Sequence, residues 1–327
     1  MTDFTPGESQ RAVAALAAQV LDGDVLASGG DPWKELAKAG LLTVGDDGLG
    51  VLDVTTLLAE IGRRAPQVAM KALATLMTGA LPVLRWGGEE LRRATLPAVA
   101  SGELIMAAAT TAAIPYAGQA SLILVPAPGG VALVDPRSAG VTLTRTPTSS
   151  GYPAFILQTE ARAEAERAPA GDMLGGPDCL ADLQHLAVAG ACALLDGAVA
   201  GALALTRDHV ATRRQFGRPL AEFQAVSQQI AEVYIASRTM HLATLSACWR
   251  LSEDRDPGAD LAVAGYWCAE QASRAVRLCH HLHGGLGMDV TYPLHRFSAL
   301  VADLTRYLGG AEYRLGAVPA GAPCSST

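Results

Sequence analysis

Between Ser9 and about Gly102, apolar residues return every three or four positions, the spacing of helices that each bury one face. Val13, Leu16, Ala17 and Val20 make the first such face. Asp31-Pro32-Trp33 opens the next helix, with an aspartate to cap it and a proline in the first turn, where its missing N–H leaves no bond unmade. Gly40 and the run Gly45-Asp46-Asp47-Gly48 break the pattern, which resumes near Val54 and again in a helix ending at Trp86-Gly87-Gly88. Glu89-Glu90 then places two carboxylates at the positive end of a further helix dipole. Past Gly102 the period changes. Ser121–Val125, Gly130–Val134, Val141–Thr144 and Ala154–Leu157 are short apolar runs between Pro and Gly, the pattern of strands in a small sheet.

Beyond about Asp172 the helical spacing returns for the rest of the chain. Phe223, Val226, Ile230, Val233, Ser237 and Met240 follow alternating steps of three and four, as in an antiparallel bundle. Asp256-Pro257 repeats the Asp-Pro start, and the helix behind it runs to about His283, where Gly284-Gly285 ends it. These changes of texture divide the chain into a helical domain (1–105), a small β-domain (106–170) and a helical bundle (171–327).

With 327 residues, half of them hydrophobic, the chain can bury a large core, and its 5% aromatic content favours closely packed helices. A net charge of −7, from 25 basic and 32 acidic residues, provides no basic stripe for nucleic acid. The six cysteines, Cys179, Cys192, Cys248, Cys268, Cys279 and Cys324, stand far apart, without CxxC spacing, as reduced core residues of a cytoplasmic protein do. Met1-Thr2-Asp3-Phe4-Thr5 has neither the basic nor the apolar region of a secretory signal. Leu186 to Leu205 carries one charge, Asp196, and its seven strongly apolar residues gain about as much on membrane insertion as one central Asp costs. Gly190, Gly197 and Gly201 instead suit a buried helix that neighbours approach closely.

The candidate chemistry gathers between Arg213 and Gln224, where one long helix ends and another begins with Arg213, Arg214 and Arg218 crowded at the turn. Gly217 supplies positive φ, Pro219 suits the opening of a helix, and guanidinium forks match the paired oxygens of a pyrophosphate. A solvated turn whose arginines only complement a helix dipole is the alternative. Downstream, Cys279-His280-His281-Leu282-His283 invites a metal, but adjacent histidines diverge on a helix and no HExxH completes a site.

Arg213-x-x-Phe216-Gly217-x-Pro219-Leu220-x-x-Phe223-Gln224 resembles the signature of the acyl-CoA dehydrogenase family, flavoenzymes that desaturate acyl-CoA thioesters. His283-Gly284-Gly285-Leu286-Gly287-Met288, then Tyr292-Pro293-Leu294-His295-Arg296 and Asp303-Leu304-Thr305-Arg306-Tyr307, resemble a second family motif at the expected distance, and Leu57–Arg63 resembles the Glu-x-Gly-Arg segment of the N-terminal domain. The match is nearest to bacterial subunits that pair with a different subunit to act on steroid side-chain CoA esters.

The resemblance implies a mostly α, acyl-CoA dehydrogenase-like fold: an N-terminal helical domain, a reduced middle β-domain and a C-terminal four-helix bundle. It implies FAD shared with the partner subunit in an α2β2 assembly, and assigns cofactor contacts to Arg213, Phe216, Gln224, His281, Gly284 and Gly285, with His281 standing where the family often has glutamine. Two family features are missing. The acidic, glycine-rich loop expected after Met106 is replaced by Thr110-Thr111-Ala112-Ala113-Ile114-Pro115, and the usual position of the catalytic carboxylate is Leu308. The family's other base position falls near Gln184, His185 and Ala187, with Asp182 the nearest carboxylate, and Glu312 lies a turn beyond Leu308. The expectation is a heteromeric enzyme subunit without its own base. A flavin-free acyl-CoA-binding or scaffold subunit, and a homo-oligomeric dehydrogenase using His185, are the alternatives.

Overall fold

The computed structural model describes residues 5–22, 29–45, 48–159 and 173–319. The N-terminal residues Met1–Phe4, the Asp46-Asp47 pair and Cys324 lie outside the described residues. The chain forms two compact units, one of Pro6–Leu58 with Val68–Gly190, the other of Met1–Thr5, Ala59–Gln67 and Ala191–Thr327.

The first unit begins with α1 (Glu8–Asp22), whose buried face is Val13, Ala17 and Leu21. That corrects the expected face: Leu16 is exposed and Val20 half-buried, because four-residue steps from Val13 set the contact line. α2 (Pro32–Lys38) starts as the sequence predicts, with Asp31 Oδ1 accepting the Trp33 N–H at 3.0 Å. α3 (Val51–Arg64) follows, then α4 (Pro66–Trp86) and α5 (Glu89–Ala100). Within α4, Leu73–Ala80 is wound as a π-helix, all eight residues buried, and Thr78 Oγ1 donates to the Leu73 and Ala74 carbonyls. Nothing in the apolar pattern signals that widened turn.

Two sheets follow. β1 (Met106–Ala108) pairs in parallel with β3 (Leu122–Ala127), which pairs antiparallel with β4 (Gly130–Val134). The second sheet sets β2 (Ile114–Pro115) and β5 (Val141–Thr146) on either side of β6 (Ala154–Thr159). Ile114 and Leu157 from this sheet and Ile123 from β3 share a small core. All four predicted strands are present. A further strand, β7 (Met173–Gly175), pairs with β4, so the expectation that everything beyond Asp172 is helical needs this correction. Three residues are too few to carry a period.

α6 (Pro177–Thr212) is the long apolar helix. It and α4 are long and apolar enough to cross a membrane by length and composition, but 89% and 83% of their most apolar windows are buried inside the fold, as in core helices of a globular protein. In the second unit Gly62 lies against the Leu194 carbonyl, Gly197 against the Ala59 carbonyl and Gly201 against the Arg63 carbonyl, so the end of α3 and the middle of α6 touch backbone to backbone. This is the close approach the glycine spacing predicts. α7 (Gln224–Ser252), α8 (Gly258–His283), α9 (Leu294–Tyr307) and α10 (Ala311–Gly316) complete the bundle. Asp256 Oδ1 accepts the Gly258 N–H at 2.9 Å, so the second Asp-Pro start stands one residue later than expected. Asp196, the lone charge of the apolar stretch, pairs with His241 Nδ1 at 2.8 Å. Cys179, Cys192, Cys248, Cys268 and Cys279 are buried free thiols.

Candidate cofactor corner

The Arg213 N–H continues the helical ladder onto the His209 carbonyl at 2.8 Å, and there α6 ends. The chain does not pass directly into another helix. Arg214–Gln215 (β8) pairs with Arg218–Pro219 (β9) in a two-residue hairpin whose tip, Phe216 and Gly217, holds φ of 50° and 83°. Two successive positive φ values suit the right-handed twist of a tight hairpin. Glycine adopts this freely, but phenylalanine does so at a cost. The Leu220 N–H closes the base onto the Arg213 carbonyl at 2.8 Å. Pro219 therefore opens a single 3-10 turn, Leu220–Glu222, and α7 begins only at Gln224. The hairpin's own hydrogen bonds compete with helix at Pro219, which corrects the sequence expectation.

The three arginines separate by task. Arg214 Nη2 donates to the Gly217 carbonyl at 2.8 Å and braces the tip. Arg218 lies over the Phe223 ring, 4.1 Å from its centroid, in a cation–π contact. The Arg213 side chain makes no hydrogen bond or ion pair among the described residues, and its guanidinium remains available to an anion. Phe216 is 92% exposed, touching only the edge of Phe223 at 6.3 Å between ring centres. Gln224 is exposed at the first position of α7.

The second motif stands at the end of α8. Gly284 takes φ of 57°, and a side-chain carbon added at Gly284 or Gly285 would meet nothing within 4 Å. Gly287 is different: a side-chain carbon added there would lie 3.1 Å from His280 Nδ1 and 3.2 Å from His283 Cβ, so the turn folds back on the helix end. Of the three histidines, His281 is exposed, while His280 bonds the Ser298 hydroxyl on α9. His283 is buried. Its Nδ1 bonds the Cys279 carbonyl at 2.8 Å, its Nε2 the Tyr292 hydroxyl at 3.0 Å, and its ring stacks on His209 at 4.5 Å between centres. Burial holds both imidazoles below their ordinary range, reinforced at His209 by Arg213 and at His283 by His209 and His280. No spacing in the sequence signals this cluster, although Tyr292 and His283 flank the double glycine. Among the described residues, no three His, Cys, Asp or Glu side chains converge as metal ligands.

At the expected base position, Leu308 is 1% exposed and its carbonyl accepts a bond from Arg314 Nε at 2.6 Å. Gly309 and Gly310 follow at φ of 85° and 86°, and Glu312 is exposed. At the other position, Gln184 is exposed, His185 half-buried and Ala187 buried. Asp182 is committed: it accepts the Trp86 indole N–H at 2.7 Å and pairs with Arg85 at 3.3 Å. After β1 the chain bends through Thr110–Ala113, braced by Thr111 Oγ1 on the Ala113 carbonyl, and enters β2 without presenting a carboxylate or a glycine.

The chain is 41% identical to the acyl-CoA dehydrogenase FadE28 of Mycobacterium tuberculosis across 99% of its own length and 100% of that relative's. It is 29% identical to FadE27 of the same organism, covering 86% and 85% of the two chains. Among solved structures it is similar to the ChsE4-ChsE5 complex from Mycobacterium tuberculosis, with a TM-score of 0.84, 28% identity and coverage of 96% and 97%. Butyryl-CoA dehydrogenase from Megasphaera elsdenii shares the fold with a TM-score of 0.84 at 19% identity, covering 97% and 98%. The model of the acyl-CoA dehydrogenase N-terminal domain matches residues 9–103 and that of the C-terminal domain residues 182–318, and with the near-complete match to FadE28 they make this chain a member of the acyl-CoA dehydrogenase family.

Proposed function

We propose that this chain is the subunit of a heteromeric, FAD-dependent acyl-CoA dehydrogenase that completes the FAD site of a homologous partner and contributes no proton-abstracting carboxylate of its own. The observation that carries this reading is the contrast between two family positions: the Arg213–Phe216 hairpin stands exposed and unsatisfied, while the base position holds a buried leucine. The donor set suits a dinucleotide. A free guanidinium can bond two pyrophosphate oxygens, Phe216 offers a flat apolar face, and the bare backbone of Gly284 and Gly285 lets a bulky group come close. FAD, when bound, supplies the hydride acceptor. Arg213 would hold the pyrophosphate, Gln224 and His281 would offer polar groups at the rim, and Leu308 would neither take nor give a proton.

The partner would be a homologous subunit that carries the base, in an α2β2 assembly. The ChsE4-ChsE5 complex and the Tcur3481-Tcur3483 steroid dehydrogenase, 28% and 29% identical to this chain, support pairing of unlike subunits, and the latter supports a steroid side-chain CoA thioester as substrate. Co-expression with a homologue bearing an intact carboxylate tests this. The expected result is a co-eluting yellow complex that introduces an α,β double bond into a steroid side-chain CoA ester, with this chain colourless and inactive alone. A yellow, active homo-oligomer would overturn the heteromeric reading, and a colourless complex would leave a flavin-free scaffold.

A further inference from the structure

The two segments proposed to meet the cofactor are far apart in sequence, yet a ring contact joins them. His209 accepts the Arg213 N–H through its carbonyl, and so anchors the base of the hairpin. Its imidazole lies on that of His283 at 4.5 Å and 17° between planes, and His283 is the residue before Gly284-Gly285. The carbonyl of Cys279 requires Nδ1 of His283 to be the protonated nitrogen, which leaves Nε2 to accept from the Tyr292 hydroxyl. Burial and the Asp208 carboxylate raise the Tyr292 phenol above its ordinary range, so it stays a donor at neutral pH. The charged and titratable groups around the stack are Asp208 from α6, Arg213 just beyond its end, Cys279 and His280 from α8, and Tyr292 from the segment before α9.

We infer that His283, fixed in one tautomer by Cys279 and Tyr292 and stacked on His209, is a positioning residue that sets the Gly284-Gly285 turn against the Arg213 hairpin for the cofactor. The inference rests on the proposed function. It differs from a simple helix cap, because a cap needs only a donor for the Cys279 carbonyl, whereas positioning needs a ring to lie on His209. Two variants separate these roles. His283→Asn keeps an amide donor and removes the ring. His283→Phe combined with Tyr292→Phe keeps both rings and leaves no buried hydroxyl without a partner.

In the co-purified complex, FAD titration should show His283→Asn binding roughly 3- to 30-fold more weakly than wild type, the range of coupling through a contact outside the ligand. The double Phe variant should stay within about two-fold. Imidazole NMR spectra of the labelled chain in the complex should show His209 titrating differently once His283 is Asn. If His283→Asn binds FAD as wild type does, or only the double Phe variant is weakened, His283 is a cap and the inference is overturned. Arg213→Ala, titrated alongside, isolates the parent reading: unchanged FAD affinity there would defeat the proposed function, whereas a loss there with none in His283→Asn defeats only the positioning role.

Discussion

The crossing at Gly190 and the corner at Arg213 use the same residue type to opposite ends. A side-chain carbon at Gly190 would lie 2.6 Å from Leu73 Cδ1 and 2.7 Å from Met77 Cγ, and one at Gly79 would lie 2.5 Å from Met106 Cβ. There glycine lets a π-wound helix, a strand and α6 close with no space between them. At the corner, Gly217, Gly284 and Gly285 have nothing within 4 Å of the missing carbon. Hydrophobic burial accounts for the first region by itself, since every residue from Leu73 to Ala80 is buried. It cannot account for the second. Among the described residues, an exposed phenylalanine at positive φ beside an arginine side chain without a hydrogen-bond partner is a cost met only by the Phe223 edge and the Arg214 brace, and such residues persist where a function keeps them. The difference teaches that the packed region explains stability, while the unsatisfied one is what the proposed function would use.

The widest test of that contrast substitutes one glycine from each region. Gly190→Leu drives a branched side chain into Leu73 and Met77, and is expected to destabilise the chain by about 1–3 kcal/mol or more, read as a lower urea midpoint. Gly285→Ala should stay within about 0.5 kcal/mol of wild type in the same titration, yet weaken FAD binding, because its methyl would occupy the approach to the backbone. Equal stability losses at both positions would erase the distinction.

Arg213 sharpens the comparison on the open side. If Arg213 holds the pyrophosphate as proposed, Arg213→Ala loses a charge-assisted contact typically worth about 1.5–3 kcal/mol, and a ten- to hundred-fold weaker FAD affinity is expected with the complex still assembling. Arg213→Lys should recover part of the loss, since a point charge cannot reproduce the bidentate fork. An arginine that merely complements the end of α6 would change stability by at most about 1 kcal/mol and leave flavin untouched. Titrating FAD into apo-complex for the three proteins, with assembly followed by size exclusion, decides between them.

What the sequence made legible follows the range of the signals. Asp31 caps its helix, Asp256 accepts the first helical N–H from one residue before the cap, and Gly197 and Gly201 take neighbouring backbones, because caps and small-residue spacings act over a turn or two. The π-winding of Leu73–Ala80 and the pairing of Met173–Gly175 with β4 depend on partners remote in sequence. At the site, Arg213, Gly217 and the double glycine were visible in motifs. His281 and His283 exchange prominence: the motif favoured the first, but the turn at Gly284 buries the second against His209, a tertiary contact no spacing encodes.

Acid and alkali should separate the Asp196–His241 pair from the corner by the sign of their effects. Asp196 bonds His241 and raises its imidazole above the ordinary 6.5, so this pair's stabilisation is complete below pH 6.5 and is lost as pH rises through the folded value. His209 and His283 run the other way. Burial and neighbouring cations hold both below 6.5, so the unfolded chain takes up protons first, and stability falls as pH drops from 6.5 through their folded values. Thermal midpoints across pH 5 to 8 should therefore show a maximum near 6.5. His241→Asn should flatten the alkaline slope alone, and His209→Phe with His283→Phe the acid slope alone. The effects are small, because the His241 side chain is 40% exposed and its ion pair is screened by solvent. If either variant flattened both limbs, the two histidine sites would share one titration, and the independence of the Asp196–His241 pair from the corner would fail at the level of charge.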